Sequence, residues 1–153
     1  MNIYVAGKFE NKELILDIYR KLEKMDHSIS YDWTTHKFIK PYVENQKMAI
    51  KYSSNELKGI ANCDIFIYLS DKEGHTLPME FGAAVMLKKT TGKPVIYAVG
   101  KFNGDSPWFF NPLVKRRETL EEVLEELKEV KSHHTNRYLG GKDKQYEGKE
   151  KWK

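Results

Sequence analysis

The residues best suited to chemistry lie in positions 64–84, DIFIYLSDKEGHTLPMEFGAA. An acid, Asp64, opens a nearly continuous apolar run. A glycine-containing loop follows, and Pro78 suits the first turn of a helix, where its missing N–H is not needed. This predicts Glu80 in a first helical turn, near unpaired N–H groups and the positive end of the helix dipole. A carboxylate so placed stays ionised near neutral pH, as a nucleophile must be. Gly82 would let a backbone or ligand approach closely. The plainer alternative is an acid that merely suits a helix start.

Other candidates surround this segment. Tyr4 sits near the end of the first apolar run, with a core tyrosine as the alternative. Gly7 and Lys8 lead from that run toward a helix, where backbone N–H groups suit an anion. Lys12 is the other nearby cation, or simply a solvated lysine. Asp32 and Trp33 would end a second strand, free to bind a base edge and to stack, or to pack beneath the following loop. His75 titrates near working pH and is a candidate acid, with an exposed loop histidine as the alternative. His36 shows no identifiable partner, and His133-His134 is too isolated for a metal site.

The elements that must position these residues follow from periodicity. Apolar runs at 2–6, 29–33, 64–70 and 95–99 read as strands, with a short one at 113–115. Helical spacing marks 10–25, with Leu14, Ile15, Ile18, Tyr19, Leu22 and Met25 apolar, and 43–61, with Met48, Ile50, Tyr52, Leu57 and Ile60 apolar. A third helix opens at Pro78, and an acidic one covers 118–130. Alternation of this kind predicts an α/β protein, a Rossmann/flavodoxin-like three-layer sandwich with a mostly parallel five-stranded sheet. Ligands then bind at the carboxyl ends of the strands.

Size and composition bound the rest. A chain of 153 residues, 40% hydrophobic, is one domain, here 1–131, with a basic aperiodic extension at 132–153 expected to be flexible. A single cysteine, Cys63, excludes a disulfide framework and a multi-cysteine zinc site. No apolar stretch is long enough to cross a membrane, and the first residues read as a strand rather than a signal peptide. The expected setting is cytoplasmic. The net charge of +4 is carried wholly by residues 131–153, leaving the body neutral, which argues against a dedicated nucleic-acid domain.

In order along the chain, IYVAGKF, GIANCDIFIYLSD, GHTLPMEFGAAVM and GKPVIYAVG resemble the nucleoside 2-deoxyribosyltransferase superfamily, which includes 2'-deoxynucleoside 5'-monophosphate N-glycosidases. The resemblance covers roughly residues 2–130. It implies cleavage of the N-glycosidic bond of a nucleoside or nucleotide through a covalent glycosyl-Glu80 intermediate, passed to another base or to water. Asp64 would contact the sugar or assist the leaving base, and Tyr4 would orient the nucleophile. Lys8 and the Gly7 turn would face a 5'-phosphate, although the serine of the nucleotide-cleaving branch is absent. Gly74 stands where the bacterial transferases carry an acid, so Glu73 or His75 would substitute. Asn103, Ser106 and Asn111 fall where family members reach a neighbouring subunit's pocket, which implies a homo-oligomer with shared active sites. No cofactor and no metal are implied. Two other readings stay open: a non-catalytic nucleotide sensor on the same fold, and nucleic-acid contact through Tyr138, Tyr146 and Trp152 of the tail.

Overall fold

The computed structural model of the protein describes residues 1–72 and 76–139, with side chains as far as residue 130. Glu73, Gly74, His75 and residues 140–153 lie outside the described residues, and so do the roles expected of His75 and of Tyr146 and Trp152.

The strands are β1 (Asn2–Ala6), β2 (Ser28–Ile29), β3 (Ile65–Leu69), β4 (Val95–Val99) and β5 (Val114–Arg117). The helices are α1 (Lys12–Lys24), α2 (Gln46–Ala61), α3 (Thr76–Thr91) and α4 (Leu120–Leu139). All five strands run parallel in the order β2-β1-β3-β4-β5. Right-handed crossovers put α1 on one face and α2 and α3 on the other, and α4 packs on the face of α1. Lys21 of α1 pairs with Glu121 of α4 at 3.5 Å across the first face. The chain changes direction across the sheet between β1 and β3, and a ligand crevice is expected there, beyond the strand ends.

The apolar runs of β1, β3 and β4 are buried on both faces, as central strands covered by helices must be. α1 turns Ile15, Ile18, Tyr19 and Leu22 into the core at helical spacing. Gly7 is tied to this packing. A Cβ there would stand 2.6 Å from Ile15 Cδ1, so a larger residue would force the end of the Ile15 side chain to move. Among the described residues, no helix is long and apolar enough to cross a membrane.

Several boundaries differ from the sequence expectation. β2 is shorter than 29–33, because the Asp32 carboxylate accepts the Thr34 N–H at 2.9 Å and curls Trp33–Thr35 into a 3-10 helix. α3 opens at Thr76, two residues before Pro78, so Glu80 lies beyond the first turn. α4 continues past 130 to Leu139; nothing in 131–139 breaks a helix, and the first glycines come at Gly140 and Gly141. α2 forms, but Ile50 and Leu57 are left 65% and 58% exposed. Its buried residues are Gly59 and Ile60.

Candidate active site

Tyr4 lies on β1 with its ring stacked on Phe66 of β3, centroids 5.5 Å apart, at the change of direction in the sheet. The ring is fully buried. Its hydroxyl reaches α3 and donates to Glu80 Oε1 at 2.6 Å. The tyrosine thus leaves the core with its polar end turned on the one acid that the sequence marks as a nucleophile. Gly59 of α2 makes room for it. A Cβ at Gly59 would stand 2.6 Å from Tyr31 Cβ and 3.0 Å from the Tyr4 ring.

The second acid of the site is Glu56, one turn before Gly59 on α2. It was not singled out from the sequence. When charged, Glu56 disfavours ionisation of Glu80. Burial pushes Glu56 up to about 6. Burial pushes Glu80 up to about 8, reinforced by Glu56 and opposed by the Tyr4 hydrogen bond. With Glu56 at about 6 and Glu80 at about 8, the two half-buried groups together hold one proton across neutral pH. The Tyr4 hydroxyl donates to Glu80 and favours the carboxylate there, but burial outweighs it, so Glu80 holds its proton more tightly than Glu56 and the ionised Glu80 expected from the sequence is not the resting form at neutral pH. Tyr4 itself is held far above the usual phenol range by burial and by Glu80, and remains a donor.

His36 completes the cluster. Its Nδ1 lies 3.5 Å from Glu56 Oε1, and its Nε2 lies 2.7 Å from the Tyr31 hydroxyl. The sequence offered no partner for this histidine, yet its side chain is only 8% exposed among α2 and the 31–36 segment. The signal was present in α2. Tyr52, Asn55, Glu56 and Gly59 recur at helical spacing and form a polar stripe opposite the apolar one.

The structure corrects several expected roles. Asp64 stands at the amino end of β3, at the opposite edge of the sheet from Glu80. It accepts the Asn2 N–H at 2.8 Å and pairs with Lys93 at 3.3 Å. That amide bond holds its carboxyl below the usual range, and Asp64 serves the strand rather than the site. Trp33 is a packing residue: it is 5% exposed, and its Nε1 donates to Val5 O at 2.7 Å, so no face is left for a base. Asp32 caps the 3-10 helix described above. Asn103 is 2% exposed; its amide donates to Arg117 O at 2.7 Å and accepts from Arg116 Nη2 at 3.0 Å, tying the loop to β5. Asn111 accepts the Leu113 N–H at 3.0 Å in the same loop.

Other candidates keep a place near the strand ends. Lys8 pairs with Asp71 at 3.0 Å, joining the loops after β1 and β3. Lys12 lies 4.0 Å over the Phe9 ring and donates to His36 O. Gly82 has no neighbouring atom within 4 Å of a Cβ, so it makes no close approach to the protein. It lines instead a cavity of about 400 Å³ with Tyr68, Phe81, Ser106, Trp108 and Phe109. Ser106 also caps the Pro107–Phe110 3-10 helix by accepting the Trp108 N–H at 3.3 Å.

No protein-family model matches the chain, and no curated protein matches it by sequence. Among solved structures, the chain is similar to the structure of Clostridium botulinum CMP N-glycosidase, BcmB. The two share 17% identity with a TM-score of 0.52, over 84% of this chain and 99% of that one. At that identity the likeness shows a common α/β fold, the one that the sequence resemblance implies.

Proposed function

We propose that the protein cleaves the N-glycosidic bond of a nucleoside or nucleotide, with Glu80 as nucleophile and Glu56 as acid and base. The observation that carries this reading is the Tyr4–Glu80 hydrogen bond of 2.6 Å, beside a second, half-buried carboxyl, at the switch point of the sheet. The similar solved structure is named a CMP N-glycosidase, which supports the same class of bond.

In this mechanism the proton held by Glu80 passes to Glu56 when substrate binds, and the Glu80 carboxylate then bonds to C1' while the C1'–N bond breaks. The departing base keeps that electron pair and takes the proton of Glu56. The buried anion of Glu80 also stabilises the positive charge that develops on the sugar ring. The Glu56 carboxylate then accepts a proton from water, whose oxygen bonds to C1' as Glu80 leaves. The products are free base and free sugar. A second base in place of water gives transfer instead, and the outcome depends on how well water is excluded. Lys8 would exchange Asp71 for the phosphate of a 5'-monophosphate, as a point charge. No cofactor and no metal enter this chemistry. The expected homo-oligomer is part of the proposal, supported by exposed Phe38, Val43, Ile50, Leu57 and Met79 around α2 and the start of α3.

The test is chromatography of free base released from deoxy- and ribonucleosides and their 5'-monophosphates, with and without an acceptor base, in wild type and Glu80→Ala. Release that vanishes in Glu80→Ala is the expected result, and its dependence on acceptor separates transferase from hydrolase. A folded wild type that binds a nucleotide but releases no base from any substrate overturns the reading in favour of a sensor.

A further inference from the structure

His36 carries a set of contacts that the two-carboxyl chemistry does not by itself require. Its imidazole stacks on Tyr52 of α2 with centroids 3.7 Å apart and planes 6° from parallel. Its main-chain carbonyl accepts from Lys12 of α1. Nε2 meets the Tyr31 hydroxyl at 2.7 Å, and Nδ1 faces Glu56 at 3.5 Å. The ring is therefore fixed in plane by Tyr52 and in position by contacts at both nitrogens.

The network also favours one tautomer over the other. Asn55 of α2 donates its amide to the Tyr31 oxygen at 3.4 Å. That occupies a lone pair of Tyr31 and leaves its proton free to point at His36 Nε2. A neutral imidazole that accepts at Nε2 must carry its proton at Nδ1, and Nδ1 is the nitrogen that faces Glu56. The charged and titratable groups around the ring are Lys12 from α1, Asp32 and Tyr31 from the loop after β2, and Tyr52 and Glu56 from α2. Burial first, and then Lys12, hold the imidazole below its usual pKa against the opposing pull of Asp32, so the neutral form is the working one.

We propose that His36 is a positioning residue for Glu56: the Asn55–Tyr31 pair fixes its Nδ1–H form, and that N–H holds Glu56 Oε1, leaving Oε2 to carry the proton passed to the leaving base. This rests on the reading of Glu56 as proton donor. A 3.5 Å separation is long, and such contacts commonly shorten when substrate closes a site. The same arrangement explains why α2 presents Tyr52, Asn55 and Glu56 on one face. All three act on this one imidazole, through its plane, its tautomer and its target.

Two measurements test the proposal. The first is nitrogen NMR of the histidine rings in the full-length protein, with His36→Asn used to assign His36. Wild type is expected to show the Nδ1–H form, Tyr31→Phe to shift it toward Nε2–H, and Glu56→Gln to move the Nδ1 resonance. An Nε2–H ring in wild type, or an Nδ1 signal indifferent to Glu56→Gln, overturns the proposal whatever the enzyme does. The second is kinetic. His36→Phe, which keeps the stack on Tyr52 but loses the N–H, is expected to lower kcat roughly 10- to 100-fold with little change in KM. His36→Asn, with an amide N–H near the Nδ1 position, is expected to recover part of that loss. In a Glu56→Gln background, His36→Phe is expected to cost nothing further. An equal loss in both backgrounds would mean that His36 is merely structural, and would overturn the positioning role. A wild type that releases no base refutes the reading of the site, while the NMR result still decides the His36–Glu56 contact.

Discussion

Helices α1 and α2 are both amphipathic, and they use their two faces in opposite ways. α1 buries Ile15, Ile18, Tyr19 and Leu22 and leaves its charges in water. α2 turns Tyr52, Asn55, Glu56 and Gly59 toward β1 and the site, while Ile50 and Leu57 face out. The first arrangement stabilises the fold through buried apolar area. The second places a carboxyl and an imidazole in a poorly hydrated region, which costs stability and shifts the proton affinity of Glu56. A helix that leaves large apolar side chains in water while half-burying its polar ones is therefore a helix to search for function.

The largest expected effect separates site from scaffold. Glu80→Gln should lower base release by about 10³-fold or more, which is about 4 kcal/mol of transition-state stabilisation, without unfolding the protein. Rate assays beside a thermal melt measure both. On the other helix, Ile18→Ala should remove about 2–4 kcal/mol of folding stability in denaturant titration, while the folded fraction keeps its activity. Equal loss of activity per folded molecule would break the contrast between the two helices.

Gly59→Ala joins the two roles. The new methyl must displace the Tyr4 ring or Tyr31, so stability should fall by about 1–3 kcal/mol and base release should fall with it. A variant as stable and active as wild type would show that the close approach of α2 to β1 is not needed.

The acid pair sets a pH dependence of stability. Both carboxyls have folded-state pKa values raised above the unfolded ones, to about 6 and about 8, so the folded chain binds more protons between roughly pH 4.5 and 8. Unfolding free energy should therefore fall as pH rises through that window. Glu80→Gln should flatten the fall and gain about 1–2 kcal/mol at pH 8. Denaturant titrations at several pH values decide this, and a wild-type curve that rises from pH 5 to 8 would contradict it.

The smallest effect belongs to Asp64. Its carboxyl is depressed by the Asn2 amide, so its contribution is present above the unfolded pKa and is lost as pH falls through the folded one. Asp64→Asn should leave base release within about 2-fold and weaken the protein only slightly at neutral pH, with the difference vanishing in acid. A large loss of activity would return Asp64 to the site.

Much of this is legible in residue order alone. Period-2 and period-3.6 patterns marked the alternating strands and helices, because burial on one face or both leaves a direct trace in residue order. Glu80 and Tyr4 were legible by type and by their place at strand and helix ends. The errors were errors of direction. A site role for Asp64 rests on the resemblance alone, which places an acid at the start of the third strand, yet a strand has two ends about five residues apart, and only one of them faces the crevice. Trp33 and Asn103 carry groups that could bind a ligand, and both are fully engaged by the chain itself.

By itself the sequence determined the parallel sheet, its covering helices, the nucleophile candidate and the tyrosine that faces it, since each follows from local pattern. Only the tertiary structure decided which second acid stands beside Glu80. Glu56 and His36 are 24 and 44 residues away along the chain, and the polar stripe of α2 marks Glu56 without saying what it faces. What brings them together is the crossover of α2 over β1 and the room left by Gly59, a matter of packing between distant segments that no short window of residues records.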